Sequence, residues 1–319
     1  MKGADQILIK NGYVYDPING VNCEQMDIAI KNGKIVEDTE LNLQKATVID
    51  AKGMVVFPGG IDVHSHIVGP VVDNALLVAS KKLRQALNTK QIGFSYARMG
   101  WTMAVDPAVP PLFAKQAIME LNEIPIIDKA FYILLGNNWL IMEYVRENFD
   151  GKLSAYISWL LKNVKAFAVK LTNPGGGESW SWHYNLQTLD DIIPYFNVTP
   201  REILSMMIKT NERLALPHSI HLHCNNTFYP GNASTTIESI KIAEKFEAGS
   251  TEREQTLHIA HIQFNCYGGE DWASVESRAE EVAKNINSTS KVTVDLGQVV
   301  FGETVFVSPD TCLVHRMTK

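Results

Sequence analysis

The chain has four cysteines in 319 residues, Cys23, Cys224, Cys266 and Cys312, and no two form a C-x-x-C pair. This excludes an iron–sulfur cluster or a zinc ribbon built within this chain, and scattered cysteines fit a reducing, cytoplasmic setting. No apolar run approaches the ~18 residues that span a bilayer, so no membrane partner is expected. The opening Met1-Lys2-Gly3-Ala4-Asp5 starts no signal peptide. The N-x-S/T triplets at Asn197, Asn225, Asn232 and Asn287 are then read as chance matches. Basic charge is short: 29 Lys and Arg face 35 Asp and Glu, a net charge of −6. With no basic stripe, no nucleic-acid partner is expected. The dinucleotide fingerprint Gly-x-Gly-x-x-Gly is missing, and so is the P-loop. Pro174-Gly175-Gly176-Gly177-Glu178 lacks the Gly-Lys-Ser/Thr ending and is read as a substrate or structural loop. Trp180, Trp182 and His183 behind it read as loop packing first and pocket wall second.

What is present is enough for a sizeable core: 45% of residues are hydrophobic and 20% charged. The length allows one large domain, or one plus a small module. Residues 1–57 read as a small β module. Gln6–Lys10, Asn11-Gly12 and Tyr13–Tyr15 spell strand, turn, strand, and Asp27–Ile30, Asn32-Gly33 and Lys34–Val36 repeat it. Thr47–Asp50 and Met54–Phe57 add short strands. Over residues 58–319 short β runs alternate with helical patterns. Strands are expected at 102–105, 130–135, 166–171, 219–222, 257–262 and 292–296. A helix is expected over Asp73–Leu87, with Leu76, Leu77, Leu83 and Leu87 on its apolar face. Thr199-Pro200-Arg201-Glu202 carries a helix-capping signature. Alternating strands and helices imply parallel β/α units, and many of them suggest a barrel.

The densest signal is Pro58-Gly59-Gly60-Ile61-Asp62-Val63-His64-Ser65-His66. An apolar strand runs into a glycine pair, which permits a tight turn. An extended run then brings His64 and His66 to one face, because strand residues two apart share a face. Two imidazoles there are half of a transition-metal site. Barrel active sites lie at the C-terminal ends of the strands. His221-Leu222-His223 ends one strand and His258-Ile259-Ala260-His261 the next, so His223 and His261 join His64 and His66 as candidate ligands. His218, His221 and His258 read as hydrogen-bonded core histidines. Lys170 interrupts the apolar run Ala166–Leu171. A buried ammonium is costly unless paired or neutralised. Either Lys170 snorkels at a strand end, or CO2 converts it to a carbamate, a planar carboxylate able to bridge two metals.

His64-x-His66 after Pro-Gly-Gly, the strand-borne Lys170, His223 and His261 together resemble the amidohydrolase superfamily with a binuclear metal centre. The chain is similar, more closely, to the family of formylmethanofuran dehydrogenase A subunits, over most of residues 5–308. The stretches that carry this are Gly60–Pro70, Met103–Pro111, Lys170–Gly176, His221–Asn226 and His261–Gly269. The resemblance implies an α/β fold: a metal-dependent hydrolase (β/α) barrel with a small N-terminal β-sandwich module. It implies two zinc ions, with His64 and His66 on one, His223 and His261 on the other, and N6-carboxylysine at Lys170 across both. The implied reaction condenses formate with the amine of methanofuran, or hydrolyses the product. Asn225 and Asn226 are candidate substrate contacts. The family's last-strand aspartate, a ligand and proton shuttle, has no clear counterpart. Asp295 sits in a seventh-strand context and is a weak candidate, and Asp310 lies in a tail. The chain is therefore expected to be the N-terminal part of a longer protein, with its barrel incomplete. Lacking redox centres, it would need as partners ferredoxin-like subunits and a molybdenum- or tungsten-dependent formate dehydrogenase-type subunit. The alternatives are another binuclear amidohydrolase (dihydroorotase-like, or a stand-alone formylmethanofuran hydrolase) and an inactive scaffold or truncated product.

Overall fold

The computed structural model describes residues 5–78, 88–297 and 308–317. Its contacts divide the chain into two compact units, Met1–Gly60 and Ile61–Lys319. The first unit is built on β1 (Gln6–Asp16), which pairs antiparallel with β2 (Val21–Lys31) and parallel with β4 (Thr47–Asp50) and β5 (Val55–Val56). β3 (Lys34–Val36) extends the sheet beyond β2. Leu8, Ala29 and Leu41 form its small core.

Both Asn-Gly pairs are expected to turn the chain, and only one does. Asn32 and Gly33 have φ of 53° and 76°, the paired positive values a tight hairpin needs, and β2 returns as β3. Asn11 also has positive φ, yet β1 runs straight through it. The β1–β2 register slips between Ile9 and Gly12 instead, which is a bulge. The reason is tertiary. The Asn11 N–H donates to Asp27 Oδ1 at 2.9 Å and its side chain donates to Asp50 Oδ1 at 3.0 Å. A Cβ on Gly12 would stand 2.6 Å from a methyl of Val56, so the glycine permits close approach rather than a turn.

The second unit carries a seven-stranded sheet in the order β14-β11-β10-β9-β8-β7-β6. In chain order these are β6 (Gly60–Asp62), β7 (Trp101–Val109), β8 (Asp128–Leu134), β9 (Ala168–Thr172), β10 (Ile220–His223), β11 (Leu257–Ile259) and β14 (Val292–Val294). β12 (Tyr267–Gly268) and β13 (Glu276–Ser277) form a separate antiparallel hairpin. The pairs from β7 round to β14 all run parallel, with helices between them, as the alternating pattern requires. Among the described residues nothing pairs β14 with β6, so the sheet is an incomplete β/α barrel. Among them, too, no helix is long and apolar enough to cross a membrane.

The helix Pro200–Arg213 opens on the expected capping box. The Glu202 N–H donates to Thr199 Oγ at 3.2 Å, and the Thr199 N–H donates to the Glu202 carboxylate at 2.8 Å. The helix expected over 73–87 instead begins at Gly69 and is described to Val78. Pro70 falls in its first turn, where a missing N–H costs nothing. Leu83 and Leu87 lie outside the described residues.

Register then sets the site. Lys170 is paired with His221, His221 with His258, and His258 with Thr293. Aligned neighbours share a face, so these four side chains form one row across the sheet. His223 and Thr172 are aligned two residues further on, in a second row nearer the C-terminal ends. The alternate residues Val169, Leu171, Leu222 and Ile259 join the apolar core. Every residue of β9 and β10 is buried, Lys170, His221 and His223 included.

Candidate metal centre

β6 ends at Asp62, so His64 and His66 stand on the turn beyond it and not on a strand continued through Val63. The rings still meet edge to face, with centroids 5.7 Å apart. Backbone bonds hold the turn. The His64 N–H donates to Asp62 Oδ1 at 3.0 Å, and the Ser65 N–H to the Val105 carbonyl at 3.1 Å. Those of Ile67 and Val68 donate to Asp106 Oδ2 at 2.9 and 3.1 Å. Tyr96 adds a bond from its hydroxyl to Asp62 Oδ2 at 3.0 Å.

His64, His66, Lys170, His223 and His261 all line one cavity of about 140 Å³, together with Phe228 and Phe264 among others. His261 reaches it from just past β11, in a left-handed conformation with φ 38°. His223 Nδ1 lies 2.9 Å from His261 Nε2. His64 Nδ1 lies 3.2 Å from Asp295 Oδ2. Asn225 and Asn226 are not among the described residues that line this cavity. Asn225 is buried and donates to Asn173 Oδ1 at 2.9 Å and to the Pro174 carbonyl at 3.0 Å. Asn226 donates to the Gln187 carbonyl at 2.7 Å.

Three further residues join the site. His221, expected as a satisfied core histidine, puts Nε2 2.9 Å from His64 Nδ1 and leaves its buried Nδ1 without a partner. Its ligand atom and those of His64 and Asp295 lie within 4.8 Å of one another, close enough to share a metal ion. The signal was available: the two-residue period that pairs His64 with His66 also pairs His221 with His223. Asp295, one residue past β14, also takes a bond from His258 Nε2 at 3.1 Å. Asp310 is buried, 3.3 Å from His223 Nε2. His218 does what a core histidine should, meeting the Tyr132 hydroxyl at 3.1 Å.

Burial, first of all, keeps these imidazoles neutral: the His64 pKa falls to about 4, and those of His66, His221, His223 and His261 are lowered too, all five with a smaller push from Lys170. Burial likewise lowers Lys170 to about 7. Burial works against ionised Asp295, but bonds from His258 and His64 outweigh it and hold the carboxyl far below its ordinary range. His66 Nδ1, His221 Nδ1, His223 Nε2, His261 Nδ1 and Lys170 Nζ are buried with no hydrogen-bond partner. Unmade bonds of this kind cost about 1–3 kcal/mol each, and native proteins keep few of them. Neutral imidazoles, an ionised carboxylate and a deprotonable lysine are the donor set a divalent transition metal takes. The residues fit a metal centre.

A parallel β/α sheet with such a donor set at the C-terminal ends of its strands defines a metal-dependent hydrolase class. Within it, the chain belongs to the amidohydrolase family, whose model matches residues 47–311. Protein FwdA of Methanocaldococcus jannaschii is 45% identical over an alignment covering 96% of this chain and 56% of that protein. A component of the formyltransferase/hydrolase complex Fhc from Methylorubrum extorquens is 32% identical, covering 95% of this chain and 56% of that protein. The crystal structure of the M. extorquens FhcABCD complex with methylofuran contains a chain that superposes with a TM-score of 0.87 at 31% identity, over 98% of this chain and 58% of that one. The chain thus spans little more than half the length of these relatives.

Proposed function

We propose that this chain is the amidohydrolase-type subunit of a formylmethanofuran-processing complex. In this reading it binds two zinc ions and interconverts N-formylmethanofuran with formate and methanofuran. The observation that carries it is the gathering of His64, His66, Lys170, His223 and His261 around one cavity, with Lys170 Nζ and His66 Nδ1 buried and without a hydrogen-bond partner. The similarity to FwdA and to the Fhc component supports the substrate class.

His64 and His66 would hold one zinc, His223 and His261 the other, and carboxylated Lys170 would bridge them. Bound zinc supplies a Lewis acid for the formyl oxygen and lowers the pKa of the attacking water. Lys170 must be uncharged to add CO2, forming an N–C bond and releasing a proton. Its pKa of about 7, set by burial, gives a large neutral fraction near neutral pH. Asp295 stays ionised, and in hydrolysis it would take a proton from water and pass it to the departing amine nitrogen. Amide and water then become amine and formic acid, and the same proton runs backwards in synthesis.

Formate made from CO2 needs electrons, and the sequence of this chain holds no cysteine cluster or dinucleotide loop to carry them. The partners would therefore include ferredoxin-like subunits and a molybdenum or tungsten formate dehydrogenase-type subunit. Elemental analysis of protein purified without chelator should find zinc, up to two per chain, and the native complex should release formate from N-formylmethanofuran. Folded protein that carries no zinc and takes none up would sink the assignment. Isolation of the native protein without redox subunits would favour a stand-alone hydrolase.

A further inference from the structure

We infer that Asp310 is a positioning residue that fixes the ring and tautomer of His223, so that His223 Nδ1 is the atom presented to the metal. The inference rests on the reading of His223 as a ligand. His223 and His261 both line the cavity, and His223 Nδ1 lies 2.9 Å from His261 Nε2. A nitrogen that ligates must be unprotonated, so the proton belongs on Nε2. There Asp310 Oδ2 stands 3.3 Å away, with the two side chains 5% and 3% exposed. The approach is oblique, at hydrogen-bond distance without full alignment, as catalytic contacts often are before ligands bind. Ligating histidines commonly give their second N–H to a carboxylate, which sets the tautomer and raises ligand basicity.

Among the described residues, Asp310 is itself held from one side only. Its Oδ1 accepts from Asn173 Nδ2 at 3.2 Å and from the Cys312 and Leu313 N–H groups at 3.1 and 3.3 Å. Asn173 Oδ1 in turn accepts from Asn225. Three donors thus claim Oδ1 and leave Oδ2 to His223. This makes Asp310→Asn a sharp test. The three donors would keep the amide oxygen at the Oδ1 place and push the NH2 towards His223. A donor there asks Nε2 to accept, and the proton moves to Nδ1, where it blocks ligation. The comparable loss of tautomer control is costly in serine-protease triads.

The experiment uses the 319-residue chain labelled with 15N-histidine. Long-range 15N–1H spectra of metal-free protein report each ring's tautomer, with His223 assigned through His223→Gln. The wild type should show His223 protonated at Nε2. Asp310→Asn should show it protonated at Nδ1, with zinc affinity down about 10–100-fold and the His64 and His66 signals unmoved. An Nδ1-protonated His223 in the wild type overturns the inference. So does an Asp310→Asn protein that keeps both the wild-type tautomer and wild-type zinc affinity. If Asp310→Asn does not fold, the wild-type tautomer decides alone. Wild-type protein that binds no zinc overturns the metal reading instead, and the two failures are separable because the tautomer is read without metal.

Discussion

Three carboxylates lie within 4.0 Å of the imidazoles, Asp106 beside His66 and then Asp295 and Asp310, and the last two are held differently. Asp295 lies just past the edge strand β14, 21% exposed, and its Oδ2 is shared by His64 and His258, with His221 3.9 Å away. Asp310 is 3% exposed and meets one imidazole, His223. An acceptor shared by several rings stays ionised but cannot set the tautomer of each. One dedicated to a single ring can. The second arrangement suits a group that orients one ring.

The comparison breaks first at Lys170, which stands between the two sides. Lys170→Ala should cut zinc from two equivalents to one at most, as read by elemental analysis. High formate or acetate should restore part of it by replacing the missing carboxylate. Two equivalents retained would show that Lys170 bridges nothing. Asp295→Asn should slow formate release by the complex about 10²–10⁴-fold, the usual cost of losing a positioned acid–base. A loss below about tenfold would move the proton-carrying role to another group.

Gly176→Ala tests the orienting side. A Cβ there would lie 2.1 Å from Asn173 Oδ1 and drive Asn173 from between Asp310 and Asn225. Denaturant unfolding should show a loss of ~1–3 kcal/mol, typical of overpacking, and a zinc titration should show one equivalent loosened and the other kept. Tyr132→Phe, beside His218 and His221, should do least. It removes the bond to His218, worth about 0.5–1.5 kcal/mol, and should leave zinc content unchanged. A fall in zinc would tie Tyr132 to the site.

Much of this is legible before folding. Thr199 and Glu202 announce a helix start because a capping box is closed within three residues, and the parallel strands β7 to β11 and β14 fall where apolar runs lie. The same Asn-Gly dipeptide reads twice as a turn, correctly at Asn32 and wrongly at Asn11, because Asp27 and Asp50 decide the second case from elsewhere in the sheet. His221 escapes notice when each histidine is weighed alone. Rows across a sheet depend on register, which a single strand does not state.

The residues alone are enough for the β/α class, the amidohydrolase resemblance and the gathering of His64, His66, Lys170, His223 and His261 at strand ends. Each rests on spacings of a few residues, although His64 and His66 meet on a turn past β6 and not on a continued strand. Which carboxylates serve those imidazoles is settled only on folding. Asp295 meets His64 across a separation of 231 residues, and Asp310 is anchored to Asn173 across 137. No local pattern encodes such pairings: they follow from strand order and register, which exist only once the sheet has assembled.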